Sequence, residues 1–231
     1  MKKLFDISGH YAGDMARRAS ELSPGDVLEI PADSGEVLAL PFEDASFDAV
    51  ICQFGAMYFA DKAEAFAEMH RVLRPGGTLL LSVWGPLAHN DYASSINEAL
   101  SSRFSLPPST FLADLLHGYH DEKQIQADLI EAGFTSTPRF EHMTRFARTS
   151  SPRDVALAYC MGTPLRQELE RHPGMTLEAA IDVAEASLRR HQVHPGVYIG
   201  RQEACFVTIT SCHAPVVQNE DNSYPMHRVD S

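Results

Sequence analysis

Residues 47–84 decide the fold: FDAVICQF (47–54), then DKAEAFAEMHRVLR (61–74), then PGG (75–77), then TLLLSVW (78–84). The first run is apolar almost without interruption, the pattern of a strand buried on both faces. In the second, Phe66, Met69, Val72 and Leu73 recur at helical spacing and Asp61 is placed to cap the helix N-terminus. Pro75-Gly76-Gly77 stops that helix, and the third run is again a buried strand. Strand, helix, turn and strand in this order make a βαβ unit. The expected class is α/β: a truncated Rossmann-like, mainly parallel sheet with helices on both faces and a helical cap.

Upstream, residues 9–22 read as a helix closed by Ser23-Pro24-Gly25, and 26–30 (DVLEI) as a short strand. Residues 36–42 look partly extended. Downstream, 90–104, 121–132, 152–160, 164–171 and 176–192 read as helices, and 138–146 and 203–211 as strands. One domain over 1–212 is expected, with its cap near 86–125 and 150–192 and a flexible tail over 213–231.

The chain carries 31 acidic against 19 basic residues, a net charge of −12. That repels phosphate backbones and anionic lipid, so neither nucleic acid nor a membrane is an expected partner. Cys52, Cys160, Cys205 and Cys212 form no CxxC pair, and the start MKKLFDISGH has no apolar signal-peptide core. Both features point to free thiols in a reducing, cytoplasmic setting.

Three stretches, LALPFEDASFDAVICQFGAMYF (38–59), EMHRVLRPGGTLLLSVW (68–84) and DLIEAGF (128–134), together resemble the methyltransferase type 11 family of class I S-adenosylmethionine (SAM)-dependent methyltransferases, which includes ubiquinone- and menaquinone-pathway enzymes. GTPLRQELE (162–170) is similar to a helical segment of close relatives, and the likeness runs over roughly residues 9–210. It implies SAM as cofactor, a small-molecule methyl acceptor, and an acceptor pocket in the helical region 86–125. It also implies that Glu36, where Asp is usual, meets the adenine amino group. Leu40, Gln53, Phe54 and Gly55 match positions at strand ends that line the cofactor pocket, where open α/β sheets bind ligands. Leu40 and Phe54 fit a plain core role equally well.

The chain departs from that family at one decisive place. Relatives follow the first strand with a glycine-rich GxGxG loop and, about twenty residues on, an acidic residue for the ribose. Here VLEI (27–30) runs directly into Pro31-Ala32-Asp33-Ser34-Gly35-Glu36, with no GxGxG anywhere and no room for a second strand. Two missing strands leave a gap of ~10 Å, and five or six extended residues reach ~17–20 Å, so the cut can close. Closure makes the first strand an edge and invites self-association. SAM binding is therefore doubtful, and methyl transfer is expected to be impaired. The alternatives are a non-catalytic pseudo-methyltransferase that binds a protein partner, and a deletion or gene-model product. Asp33 is a weak substitute for the ribose acid, because nothing fixes its geometry.

No catalytic residue is assigned. His89, His117 and His120 are the candidate bases if one is needed. His117 and His120 in HGYHD (117–121), a stretch that resembles part of the family's active-site cover, lie near Asp114 and Asp121 but do not make a convincing metal set. No metal is expected.

Overall fold

The computed structural model describes residues 10–30, 37–104 and 111–212. The elements are helices α1 (His10–Leu22), α2 (Lys62–Val72), α3 (Asp91–Phe104), α4 (Glu122–Glu131), α5 (Pro152–Gly162), α6 (Leu165–Arg171) and α7 (Leu177–Leu188). The strands are β1 (Val27–Ile30), β2 (Phe47–Gln53), β3 (Leu73–Trp84), β4 (Arg139–Thr149), β5 (Gln192–His194) and β6 (Val197–Thr210).

One six-stranded sheet runs β1-β2-β3-β6-β4, with β5 paired to β6. The pairs β1–β2 and β2–β3 are parallel, and the pairs that β6 makes with β3, β4 and β5 are antiparallel. The βαβ unit read from residues 47–84 is β2-α2-β3. The strand before it pairs directly and in parallel with β2, from Val27↔Ala49 to Ile30↔Cys52.

Helices cover both faces. On one, α1 lies against β4 and β6: the Arg18 guanidinium pairs with Glu141 and stacks 4.7 Å over Phe206, and Arg145 holds Asp14 at 2.9 Å. On the other, Glu122 of α4 meets His142 at 2.7 Å, and His70 of α2 packs edge-on to Phe134 at 4.6 Å. The two sets of contacts alternate along β4, as the twofold period of a strand demands. The cap is built from α3, α5 and α7. Arg153 of α5 reaches Glu178, Asp182 and Glu185 of α7. Tyr92 of α3 lies so close to Gly200 that a Cβ there would stand 2.6 Å from its ring.

Several boundaries differ from the sequence reading. The helix expected over 61–74 ends at Val72, because Arg74 precedes a proline and is driven out of the helical region. Asp61 is its N-cap as expected, accepting from the Glu64 N–H at 2.9 Å. The helix expected over 176–192 ends at Leu188, passes through a 3₁₀ turn and becomes β5. The strand expected over 203–211 begins at Val197, since the stretch before Glu203 pairs with the second half of β4. Residues 37–39 form a turn rather than an extended segment. Glu36, Asp33 and the tail from 213 lie outside the described residues.

Candidate strand-end site

The carboxyl ends of β1, β2 and β3 are where an open α/β sheet receives its ligand. Just past β2, Phe54 adopts a left-handed φ of 52°. That conformation is uncommon for a bulky residue and requires local support. Its N–H donates to the Ser82 carbonyl at 3.0 Å, and its ring stacks on Trp84 with centroids 4.2 Å apart. Tyr11 of α1 stands edge-on to both, 5.9 Å from Phe54 and 5.5 Å from Trp84. The Tyr11 hydroxyl donates to the Gln202 carbonyl at 2.7 Å. All three rings are buried, and Phe206 completes the cluster. Aromatic packing thus fills the space over the ends of β2 and β3.

The other expected site residues separate into distinct roles. Gly55 is buried and precedes a 3₁₀ turn at Ala56–Tyr58. Gln53 is half-buried, and its side-chain amide makes no hydrogen bond with a described residue. Leu40 is held by its backbone: its N–H donates to Glu68 at 2.9 Å and its carbonyl accepts from Arg71 at 3.1 Å. Arg71 also binds Asp44 and the Phe42 carbonyl, which ties the 40–44 loop to α2. The Arg71 guanidinium holds the Glu68 carboxyl below its ordinary range, and Glu68, with Asp44, raises Arg71 in turn.

Among the histidines, His89 is half-exposed and paired with Glu203 at 3.1 Å, while His120 Nδ1 lies 2.7 Å from the His117 carbonyl. His117 is 2% exposed, its Nδ1 is 2.8 Å from the Gly85 carbonyl, and its ring lies 6.2 Å from Trp84. Burial lowers its pKa to about 4. Asp121 caps α4 rather than joining His117 and His120, and no group of three ligating side chains among the described residues could hold a metal ion.

An open groove of about 460 Å³ lies between the N-terminus of α2 and the side of α4 that carries Gln124, Asp128 and Glu131. Lys62 donates to the Phe59 carbonyl at 2.9 Å and sits 4.8 Å over the Tyr119 ring, whose hydroxyl donates to Asp128 at 2.7 Å. Sequence reading missed Tyr11, Trp84 and this Lys62–Tyr119–Asp128 set. A tryptophan at the last position of a buried strand was the one visible signal.

The chain is similar to proteins of the methyltransferase class. Within that class, the matching family is described as a methyltransferase domain, over residues 7–81, the type 11 group that residues 38–59 and 68–84 resemble. A demethylmenaquinone methyltransferase of Deinococcus radiodurans is 42% identical over 82 residues, 36% of this chain and 34% of that protein. One from Thermus thermophilus is 32% identical over 139 residues, 56% of this chain and 61% of that protein. The chain therefore spans about a third to three fifths of these curated relatives. Among solved structures it is similar to the YcgJ protein of Bacillus subtilis, at 16% identity and a TM-score of 0.43, covering 78% of this chain and 70% of that one.

SAM is the cofactor of the family, but the described residues do not fit it. Tyr11, Phe54 and Trp84 occupy the strand-end crevice, the backbone N–H groups of Leu40 and Phe54 are committed within the protein, and the sequence has no glycine-rich loop.

Proposed function

We propose that this chain descends from an enzyme moving a methyl group from SAM to a small-molecule acceptor, and that it carries out that reaction weakly or not at all. The observation that carries this reading is the direct β1–β2 pairing, which leaves no place for a glycine-rich loop and its two following strands. The hydrogen bonds lost with them are worth about 1 kcal/mol each when neutral and up to about 3 kcal/mol when charged. Together they amount to orders of magnitude in affinity. Calorimetric titration of the folded protein with SAM and S-adenosylhomocysteine tests the reading. No heat at millimolar ligand is expected, whereas micromolar binding overturns it. The four free thiols, three of them buried, support a reducing, cytoplasmic setting. Among the described residues, no helix is long and apolar enough to cross a membrane.

A second reading is favoured by one observation: β1 pairs only with β2 among the described strands, and its Val27 side chain is exposed. In this reading the chain is a pseudo-methyltransferase that works by protein binding, and the β1 edge self-associates or pairs with an intact relative. Light scattering over a range of concentrations tests it, with a mass that stays monomeric throughout counting against it.

A further inference from the structure

The register of the sheet fixes which residues line the outer side of β4. On β6, the Glu203 carbonyl takes the Gly85 N–H, the Glu203 N–H goes to Asn90, and the Arg201 N–H goes to Asp91. Odd-numbered residues of β6 therefore direct their backbone groups toward β3 and the segment that follows it. Successive residues of an antiparallel ladder point these groups to opposite sides, so the even-numbered ones face β4. Their partners run from Arg139↔Thr208 through Met143↔Ala204 to Thr149↔Tyr198, all odd on β4. Phe140, His142, Thr144, Phe146 and Arg148 are left to direct their backbone groups outward, on the side where no described strand pairs with β4. Solvent satisfies such a row in a free chain, so it is an opening and not a defect.

Natural sheets blunt an open edge with a short strand, a proline or a bulge. β4 uses none of the three: it is 11 residues long, holds no proline and follows β6 without a register shift. Two of its arginines are engaged within the chain, Arg139 3.2 Å from Glu141 and Arg145 2.9 Å from Asp14. His142, Thr144, Phe146 and Arg148 are exposed, and Phe146 is 60% exposed. The outward row is also complementary to itself. A second β4 running antiparallel about a twofold axis at Thr144 sets Thr144 against Thr144, His142 against Phe146, and Phe140 against Arg148. Each pairing joins two outward-facing residues, as the hydrogen-bonded positions of an antiparallel ladder require. Threonine with threonine, ring with ring and guanidinium with ring are all favourable cross-strand pairs. On the other face Met143 meets Arg145 and Glu141 meets Ala147, so no like charges stand directly opposite. A slip of two residues in either direction leaves one end of the row unpaired.

We propose that β4 pairs antiparallel with β4 of a second copy, joining two six-stranded sheets into one across a twofold axis at Thr144. Such a contact is isologous, each chain presenting the same patch. The inference goes beyond both readings above and rests on neither, since it uses the edge opposite β1 and needs no cofactor. Light scattering of the dilute full chain should give the mass of two chains. Thr144→Lys sets two ammonium groups against each other at the axis and touches no bond to β6. It should weaken the dimer about a hundredfold and return the mass to one chain, whereas Val27→Lys should leave the dimer intact. Should Thr144→Lys not fold, amide hydrogen exchange of the wild type supplies the readout. The five outward amides should exchange freely in samples diluted to a single chain and about tenfold or more slowly in the dimer, while the odd-numbered amides of β4 stay protected in both. A single-chain mass at every concentration overturns the proposal, and so does a dimer whose outward amides exchange freely. Outward amides already slow in the single chain would mean that another segment of the same chain covers the edge, which overturns it as well. A dimer lost in Val27→Lys and kept in Thr144→Lys belongs to the β1 edge and sinks this inference alone. None of these outcomes bears on the SAM titration.

Discussion

The sheet has two unequal edges. At one, β4 is an 11-residue strand in register with β6 from Arg139↔Thr208 to Thr149↔Tyr198, and α1 is clamped across it by Arg18 and Arg145. At the other, β1 is a 4-residue strand paired only with β2 among the described strands, and Val27 is 43% exposed. Cross-strand pairs are the unit of sheet stability, so the antiparallel edge holds the fold. The parallel edge is where the family builds its cofactor site. On the reading proposed above, a cut beside β1 removes binding chemistry while leaving most of the core standing.

The largest expected effect tests that division directly. Trp84→Ala, at the centre of the aromatic cluster, should cost about 3–5 kcal/mol, the range for deleting a buried aromatic ring. Val27→Ala at the thin edge should cost about 0.5 kcal/mol or less, as exposed substitutions do. Urea unfolding of both variants measures the difference, and comparable losses would break the contrast between edge and core.

The next effect depends on pH. His117 titrates at about 4 in the folded chain against an ordinary 6.5, because burial opposes its charged form and His120 nearby adds repulsion, outweighing the Gly85 contact. Between those values the unfolded chain binds the proton and the folded one does not. Stability is then complete above about pH 6.5, falls as the pH drops toward 4, and loses nothing further from this group below that. The full span is about 3 kcal/mol. His191, also lowered by burial, acts in the same direction. Unfolding free energies measured from pH 4 to 7 should show a slope that His117→Asn reduces and does not remove.

How far the sequence could be read follows from what each signal encodes. The β2-α2-β3 unit was legible because its apolar periods switch cleanly from strand to helix and back, and because Asp61 and Pro75 mark the helix ends. The edge position of β1 was legible through the family likeness, because the stretch between Ile30 and Phe47 is too short for the loop and two strands that relatives place there. The first half of β6 was not legible, since VYIGRQ (197–202) alternates weakly and is held as strand by β4. Phe54 matched a pocket position by likeness, yet its ring lies in the core, because Tyr11 arrives from α1. A contact across 43 residues has no local signature. His117 was one of three equivalent histidines until burial and the Gly85 carbonyl set it apart.

Gly200 sharpens the comparison from the stable side. It lies within the β4–β6 ladder, where Tyr92 of the cap packs against it. Gly200→Ala places a methyl 2.6 Å from that ring and should cost about 1–3 kcal/mol through overpacking. The strand conformation itself accepts alanine, so the loss belongs to the cap contact. A smaller residue at Tyr92 should recover part of it in thermal unfolding of the double variant.

The smallest effect on stability carries the most information about the thin edge. Val27→Lys puts a charge on an edge strand, the device by which natural sheets discourage edge-to-edge pairing. Its side chain is already largely in water, so the folded monomer should change by about 0.5 kcal/mol or less. Its effect on association should be far greater, because two β1 edges cannot pair without bringing the added charges into the interface. Light scattering of the wild type should show mass rising with concentration beyond the β4-paired dimer, and the Lys variant should stop at that dimer. If neither exceeds the dimer, the β1 edge is not an interaction surface and the proposed loss of SAM binding stands alone. If both exceed it equally, the further contact lies elsewhere, and the exposed face of Leu38 and Phe42 becomes the next surface to charge.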